Sequence, residues 1–270
     1  MIYMYSPISI LFTVKVDQFH PYLLEQTHSS SDWPIPPEHE LAMVGNALTT
    51  LWLFAFMAIF CAFDAAVIKD RCPIPSQLKY NYDFNWKSRS SEWNNTNAQP
   101  ASLQLVLSWT PTFCQSLPQS VQDKEFQCRN SQYFGIVVHG LWPQAAKASS
   151  VRAHPRNCRD EKQLNSTFIK RFYCMMPDED LIQSQWEKHG TCYYKTATEY
   201  YENIEKLYQS LNIPDIAAMK SKTKTNVVNA FLTQNPKLLS SAIQVSMNAE
   251  NQLKEIKICY TLNYQYVRCS

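Results

Sequence analysis

The chain has 270 residues, 45% of them hydrophobic and 18% charged, which excludes a disordered or collagen-like polymer and leaves room for one large domain plus a targeting segment. Its net charge of +2 is unevenly held: residues 1–68 contain one cation, Lys15, against six carboxylates, so the remainder carries 24 cations against 17 carboxylates. A basic main region suits a polyanionic partner, because Lys and Arg displace condensed counterions, and it equally suits a soluble surface with a basic bias.

Residues 1–41 have no helix or strand periodicity and include the proline-rich run Ser29 to Pro37; they are read as an N-terminal extension. Residues 42–68 contain an uncharged apolar run, Ala42 to Phe63, followed by small residues at Ala65 and Ala66. That length and composition predict a cleaved secretory signal, with Met43 a possible start, or a signal-anchor in the membrane; a buried core segment is the third reading. Both leading readings take residues 69–270, the expected folded domain, out of the cytosol. The cysteines agree. Nine is an odd count, but Cys61 sits in the apolar run, and Cys72, Cys114, Cys128, Cys158, Cys174, Cys192, Cys259 and Cys269 form an even set of eight. Such a set predicts a disulfide framework in an oxidising compartment, while spacing alone leaves the connectivity open.

Leu103 to Trp109 predicts a strand between Pro100 and Pro111, and Tyr133 to Val138 a second strand that delivers His139 at its end. Asn94-Asn95-Thr96 and Asn165-Ser166-Thr167 are glycosylation sequons. Helices are expected over Lys162 to Met176 and Leu181 to Lys188. Thr196 and Glu199 form a capping box ahead of a helix whose Tyr200, Tyr201, Ile204, Leu207 and Tyr208 recur at core-packing spacing. A further helix is expected over Thr225 to Leu232, then strands near Ala242 to Met247, Leu253 to Tyr260 and Tyr264 to Arg268. Helices and strands interleave without regular βαβ spacing, so the predicted class is α+β.

Two segments concentrate the chemistry: His139-Gly140-Leu141-Trp142-Pro143 and Trp186-Glu187-Lys188-His189-Gly190-Thr191-Cys192. Two histidines and a lysine are the minimum set for metal-free cleavage of an RNA phosphodiester. One imidazole takes the 2′-hydroxyl proton, the other protonates the leaving 5′-oxygen, and the cation stabilises charge on the phosphoryl oxygens. From Lys69 onward the only other histidine is His154. A single buried histidine is more often a hydrogen-bonded core residue, so the pairing carries the reading.

Read together, Phe134 to Gln144 and Leu181 to Cys192 resemble the two active-site segments of the ribonuclease T2 family, and Leu103 to Cys114 is similar to its first strand and turn. The resemblance covers Cys72 to Ser270. It implies an α+β fold with a central antiparallel sheet flanked by helices, and an endoribonuclease that acts on single-stranded RNA through a 2′,3′-cyclic phosphate without metal or other cofactor; a monomer that is secreted or held in a periplasmic or lysosomal-type lumen is expected. It implies His189 as general base, His139 as general acid, Lys188 as the cation that stabilises the phosphorane, and Trp142 as part of a base-binding site, against the alternative that Trp142 is core. It also implies the bridges Cys158–Cys192 and Cys259–Cys269, with Cys114–Cys128 a further pair and Cys72 and Cys174 the remaining two.

The chain departs from the family at Ser184 and Gln185, where many members carry His-Glu. Gln185, one helical turn before His189, is expected to point into the site and keep hydrogen-bonding capacity, but it lacks the charge that favours a protonated imidazole. Ser184 stands in place of the family's histidine and is expected at the substrate-binding surface, with weaker phosphate binding. An active but slower enzyme is expected, with a catalytically weakened RNA-binding or effector protein as the alternative. Two further readings, a zinc site from His139, His189 and Cys192 and a hydrolase with Cys192 as nucleophile, both require Cys192 as a thiolate.

Overall fold

The computed structural model describes residues 72–270. The N-terminal extension over residues 1–41, the apolar segment over residues 42–68, Cys61 and the first residues of the expected domain lie outside the described residues. Four strands, β1 (Ser102–Trp109), β2 (Ile136–Gln144), β3 (Ile243–Met247) and β4 (Leu253–Thr261), form one antiparallel sheet in the order β2-β1-β4-β3. Helices fill the connections: α1 (Thr110–Gln115), α2 (Gln119–Gln122), α3 (Phe126–Arg129), α4 (Ser166–Phe172), α5 (Glu179–Lys188), α6 (Ala197–Gln209) and α7 (Lys224–Gln234). This is the expected α+β class with a central antiparallel sheet.

Strand alternation gives the sheet a dry face and a wet face. Leu103, Leu105 and Leu107 of β1, Val138 and Leu141 of β2, and Ile256 and Ile258 of β4 are fully buried against Tyr200, Tyr201 and Ile204 of α6. The opposite face carries Gln104, Glu255, Lys257 and the residues of the site. β2 lies at the sheet edge, where unpaired backbone groups need other partners. The Tyr200 hydroxyl supplies them at Leu141, accepting from its N–H at 3.1 Å and donating to its C=O at 3.2 Å. Nearby, the Val138 N–H donates to Met175 O at 2.9 Å, and the Tyr208 hydroxyl donates to Ile136 O at 2.9 Å. The aromatic stripe of α6 is therefore core on one side and strand clamp on the other.

Several boundaries differ from expectation. The helix expected over Lys162 to Met176 is confined to Ser166–Phe172, because the Asn165 side chain accepts from the Phe168 N–H and starts it late. The second strand begins at Ile136 rather than Tyr133 and continues through the His139-to-Pro143 segment to Gln144, since β1 offers it a full-length partner. Tyr264 to Arg268 forms no strand; its one ladder contact is the Tyr260–Tyr266 bridge, after the positive φ of 60° at Tyr264 turns the chain. The capping box at Thr196 is present, its hydroxyl accepting from the Glu199 N–H. Disulfides join Cys158–Cys192 and Cys259–Cys269, the pairs implied by the family resemblance, together with Cys114–Cys128 and the two remaining cysteines, Cys72–Cys174. Among the described residues no helix is long and apolar enough to cross a membrane.

Candidate active site

The wet face of the sheet opens into a cavity of about 510 Å³ lined by His139, Trp142, Gln185, Lys188 and His189 together with Gln104, His154, Arg156 and Lys257. His139 and Trp142 are three residues apart, and a regular strand would put them on opposite faces. The pairing of β1 with β2 shifts register there: Val106 faces Gly140 and Leu107 faces Val138, so His139 is the extra residue of a β-bulge. The bulge turns His139 and Trp142 into the same cavity, with their rings 5.1 Å apart at 80°. Gly140 is required between them, because a Cβ there would lie 2.2 Å from Gln185 Oε1 and 2.9 Å from Trp142 Nε1.

The second segment arrives on α5. Its N-cap Asp178 accepts from the Asp180 and Leu181 N–H groups, and Lys188 is its last residue. His189 leaves helical geometry but still donates its N–H to Gln185 O at 3.1 Å, so it stands at the helix end facing β2. Gly190 follows because Trp186 and Tyr200 crowd its position; a Cβ would meet Trp186 at 2.4 Å and Tyr200 at 2.9 Å. The Cys158–Cys192 bridge fixes the turn beyond it. Cys192 therefore offers no thiolate to a metal or a substrate, which removes the premise of the zinc and cysteine-nucleophile readings.

The two imidazoles flank one indole. Trp142 stacks on His189 with centroids 5.2 Å apart at 25°, while His139 meets it edge-on. Trp142 Nε1 donates to Gln185 Oε1 at 2.8 Å, and Lys257 lies 5.2 Å from the indole centroid. Gln185 thus points into the cavity as expected, but it orients the indole that supports His189 rather than the imidazole itself. Ser184 is not among the cavity-lining residues; its hydroxyl donates back to Leu181 O at 3.1 Å within its own helix.

The electrostatic surroundings of the two histidines differ. Burial, reinforced by Arg156, Lys188 and the other two histidines, holds the His189 imidazole well below the usual range and therefore neutral. Its Nδ1 is buried without a partner among the described residues, leaving Nε2 as the nitrogen available to a substrate. His139 instead meets a carboxylate, its Nδ1 donating to Glu255 Oε1 at 2.9 Å. A carboxylate can only accept, so Nδ1 carries the hydrogen and Nε2 is again the working nitrogen. Burial pushes the Glu255 carboxyl up, but the His139 hydrogen bond and charge, with Lys257 and Lys254, outweigh it and keep the group ionised. Beside them, burial draws the Lys188 ammonium below its usual range despite the opposing pull of Glu92. A second hollow of about 530 Å³, lined by Ser108, Phe113, Met247 and Lys254, shares His139 and Glu255, so this imidazole stands between two cavities.

Glu255, Lys257, Arg156 and Glu92 were not anticipated from sequence. Strand alternation places Glu255 and Lys257 on one face of β4, a signal that becomes informative only once His139 is known to lie opposite. For Arg156 and Glu92 no local pattern exists.

The ribonuclease T2 family model matches residues 101–269. Over 181 residues the chain is 32% identical to a probable ribonuclease of Haemophilus influenzae, covering 65% of this chain and 63% of that protein. It is 33% identical over 110 residues to a ribonuclease of Aeromonas hydrophila, covering 41% of this chain and 46% of that one. The chain thus spans less than two thirds of the length of these curated relatives. Among solved structures it is similar to a self-incompatibility-associated SF11-RNase of Nicotiana alata, at 21% identity and a TM-score of 0.48 over 64% of this chain and 92% of that one. It is also similar to an RNase-related protein from Calystegia sepium, at 19% identity and a TM-score of 0.48 over the same shares, 64% and 92%. Because the family match runs unbroken from the first strand to the last cysteine, over more than half of the sequence, the chain belongs to the ribonuclease T2 family.

Proposed function

We propose that this chain is an endoribonuclease that cleaves single-stranded RNA by metal-independent transphosphorylation. The observation that carries the reading is the pair of imidazoles set on either side of one indole in a cation-lined cavity, one held neutral and the other hydrogen-bonded to a carboxylate. Neutral His189 takes the proton of the ribose 2′-hydroxyl at Nε2. The 2′-oxygen attacks phosphorus, the bond to the 5′-oxygen breaks, and His139 gives that oxygen the proton from its own Nε2. The products are a 2′,3′-cyclic phosphate and a free 5′-hydroxyl. Lys188, on the cavity wall, stabilises the charge that builds on the phosphoryl oxygens. Trp142 sets the His189 plane and lines the pocket that receives a base. The two hollows meeting at His139 would let the strand continue on both sides of the scissile phosphate. The four disulfides fit a protein that works outside the cytosol.

The test is incubation of the purified protein with single-stranded RNA in excess EDTA, followed by analysis of the product ends. Cyclic-phosphate ends are expected, and intact RNA would overturn the proposal. One observation favours the slower-enzyme variant of this reading: Gln185 spends its carbonyl on Trp142, leaving His189 without a carboxylate beside it. A protein that binds RNA without cleaving it is the outcome in which the EDTA assay fails while RNA still binds.

A further inference from the structure

We propose that Glu92 is a positioning residue for this reaction, holding Arg156 and Lys188 side by side as a preformed two-cation seat for the scissile phosphate. The inference rests on the proposed RNA cleavage. Glu92 lies ahead of residues 101–269, so it is contributed by a part of the chain that the family match does not include. Its Oε2 accepts from Arg156 Nε at 3.0 Å and from the terminal guanidinium nitrogen at 2.7 Å, and from Asn157 Nδ2 at 3.2 Å. Its Oε1 faces Lys188 Nζ at 3.3 Å. One carboxylate, its side chain 9% exposed, thus divides its two oxygens between two cations that both line the cavity.

Two like charges on one wall repel, and a buried carboxylate between them is what makes their shared placement stable. Burial pushes the Glu92 carboxyl up, but Arg156, Lys188 and Asn157 together hold it ionised. The main chain is fixed as well. The Asn157 N–H donates to Lys188 O at 2.9 Å, its Nδ2 donates to Trp93 O at 2.7 Å, and the Lys188 ammonium rests 4.4 Å from the Phe84 ring centroid. Lys188 engages Glu92 with one of its three hydrogens, so it has donors left for a phosphate. The Arg156 guanidinium is held from one edge and 4.3 Å from the Trp93 ring centroid, leaving its other edge free. Such an arrangement places positive charge where it develops in the reaction without reorganisation.

The experiment compares wild type, Glu92→Gln, Glu92→Asp and Lys188→Met, alone and as the double variant Glu92→Gln/Lys188→Met, for kcat and KM on single-stranded RNA across pH. Glu202→Gln, which breaks the exposed Arg171 pair at 3.1 Å, controls for loss of an unrelated ion pair. Glu92→Gln is expected to lower kcat/KM on the order of 10- to 100-fold, with the loss chiefly in kcat. It should also bring the loss of the Lys188 proton, and with it the fall in kcat on the far alkaline side, to lower pH, because Lys188 would then face Arg156 and Arg89 without the opposing carboxylate. In the Lys188→Met background the same change should cost far less, since the two residues act as one unit. If Glu92→Gln fails to fold, Glu92→Asp carries the test; its shorter side chain cannot reach both cations, and a fall in kcat is expected at temperatures where the variant is still fully folded. Unchanged kcat and pH profile in a folded Glu92 variant, or full additivity with Lys188→Met, overturns the inference. Absence of cleavage by wild type overturns the underlying activity instead, so the two failures are distinct.

Discussion

Glu187 sits between Trp186 and Lys188, is completely buried, and has one oxygen, Oε2, with no partner among the described residues. Burial pushes its carboxyl from the ordinary 4.5 up to about 6, against the opposing Gln183 hydrogen bond at 2.8 Å and with added repulsion from Asp83. At about 1.4 kcal/mol per pH unit, that rise corresponds to roughly 2 kcal/mol. The sign follows from proton counting. Below pH 4.5 the carboxyl is protonated in both the folded and unfolded chains. Between 4.5 and about 6 the folded state holds the proton that the unfolded state has lost, and stability falls as pH rises through this window. Glu187→Gln removes the titration. Its new amide hydrogens cost about 1–3 kcal/mol if unpaired, but that cost does not depend on pH. Urea unfolding of both proteins at about pH 4 and about pH 7.5 should therefore show the variant gaining about 2 kcal/mol relative to wild type at the higher pH. Other titrating groups cancel in the comparison. A stability difference that stays constant with pH would refute the reasoning. For the proposed enzyme the consequence is that the helix presenting Lys188 and His189 is best held in mildly acidic solution.

His139→Ala and His189→Ala should each lower RNA cleavage about 10²–10⁴-fold, the worth of one positioned proton transfer, and unaltered cleavage in both would exclude catalysis at this cavity. Gln185→Glu keeps an acceptor for Trp142 Nε1 and adds the missing charge beside His189. Because a carboxylate favours the protonated imidazole, the acid limb of kcat/KM should move to higher pH and the rate on polyuridylate should rise; no change in either would remove Gln185 as the cause of slow turnover. Tyr200→Phe strips the Leu141 N–H of its acceptor and the C=O of its donor at the bulged edge strand. Thermal unfolding should show a loss of about 1–3 kcal/mol, and wild-type stability would mean that the clamp on β2 is dispensable.

Much of this protein is legible in local sequence. Alternation marks β1 and β4, the spacing of Tyr200, Tyr201 and Ile204 marks α6, and the two histidine-bearing segments mark the site, because each signal is written within a few residues of one element. The family resemblance added two of the disulfide pairs, Cys158–Cys192 and Cys259–Cys269, which residue spacing leaves open. Other features depend on contacts between distant residues. The helix expected over Lys162 to Met176 is shorter because Asn165 caps it late, and the segment around His139 is strand because β1 extends alongside it. His139 and Trp142 share a cavity only because a bulge between β1 and β2 cancels the alternation that would separate them. Glu255 reaches His139 across 116 residues of sequence and Arg156 reaches Glu92 across 64, distances over which no periodicity carries information. The sequence by itself thus determined which groups are available for chemistry, since residue type and local spacing are enough for that. Their facing, their ionisation and their partners were decided by the tertiary structure, because burial and charge proximity exist only once separate elements pack together.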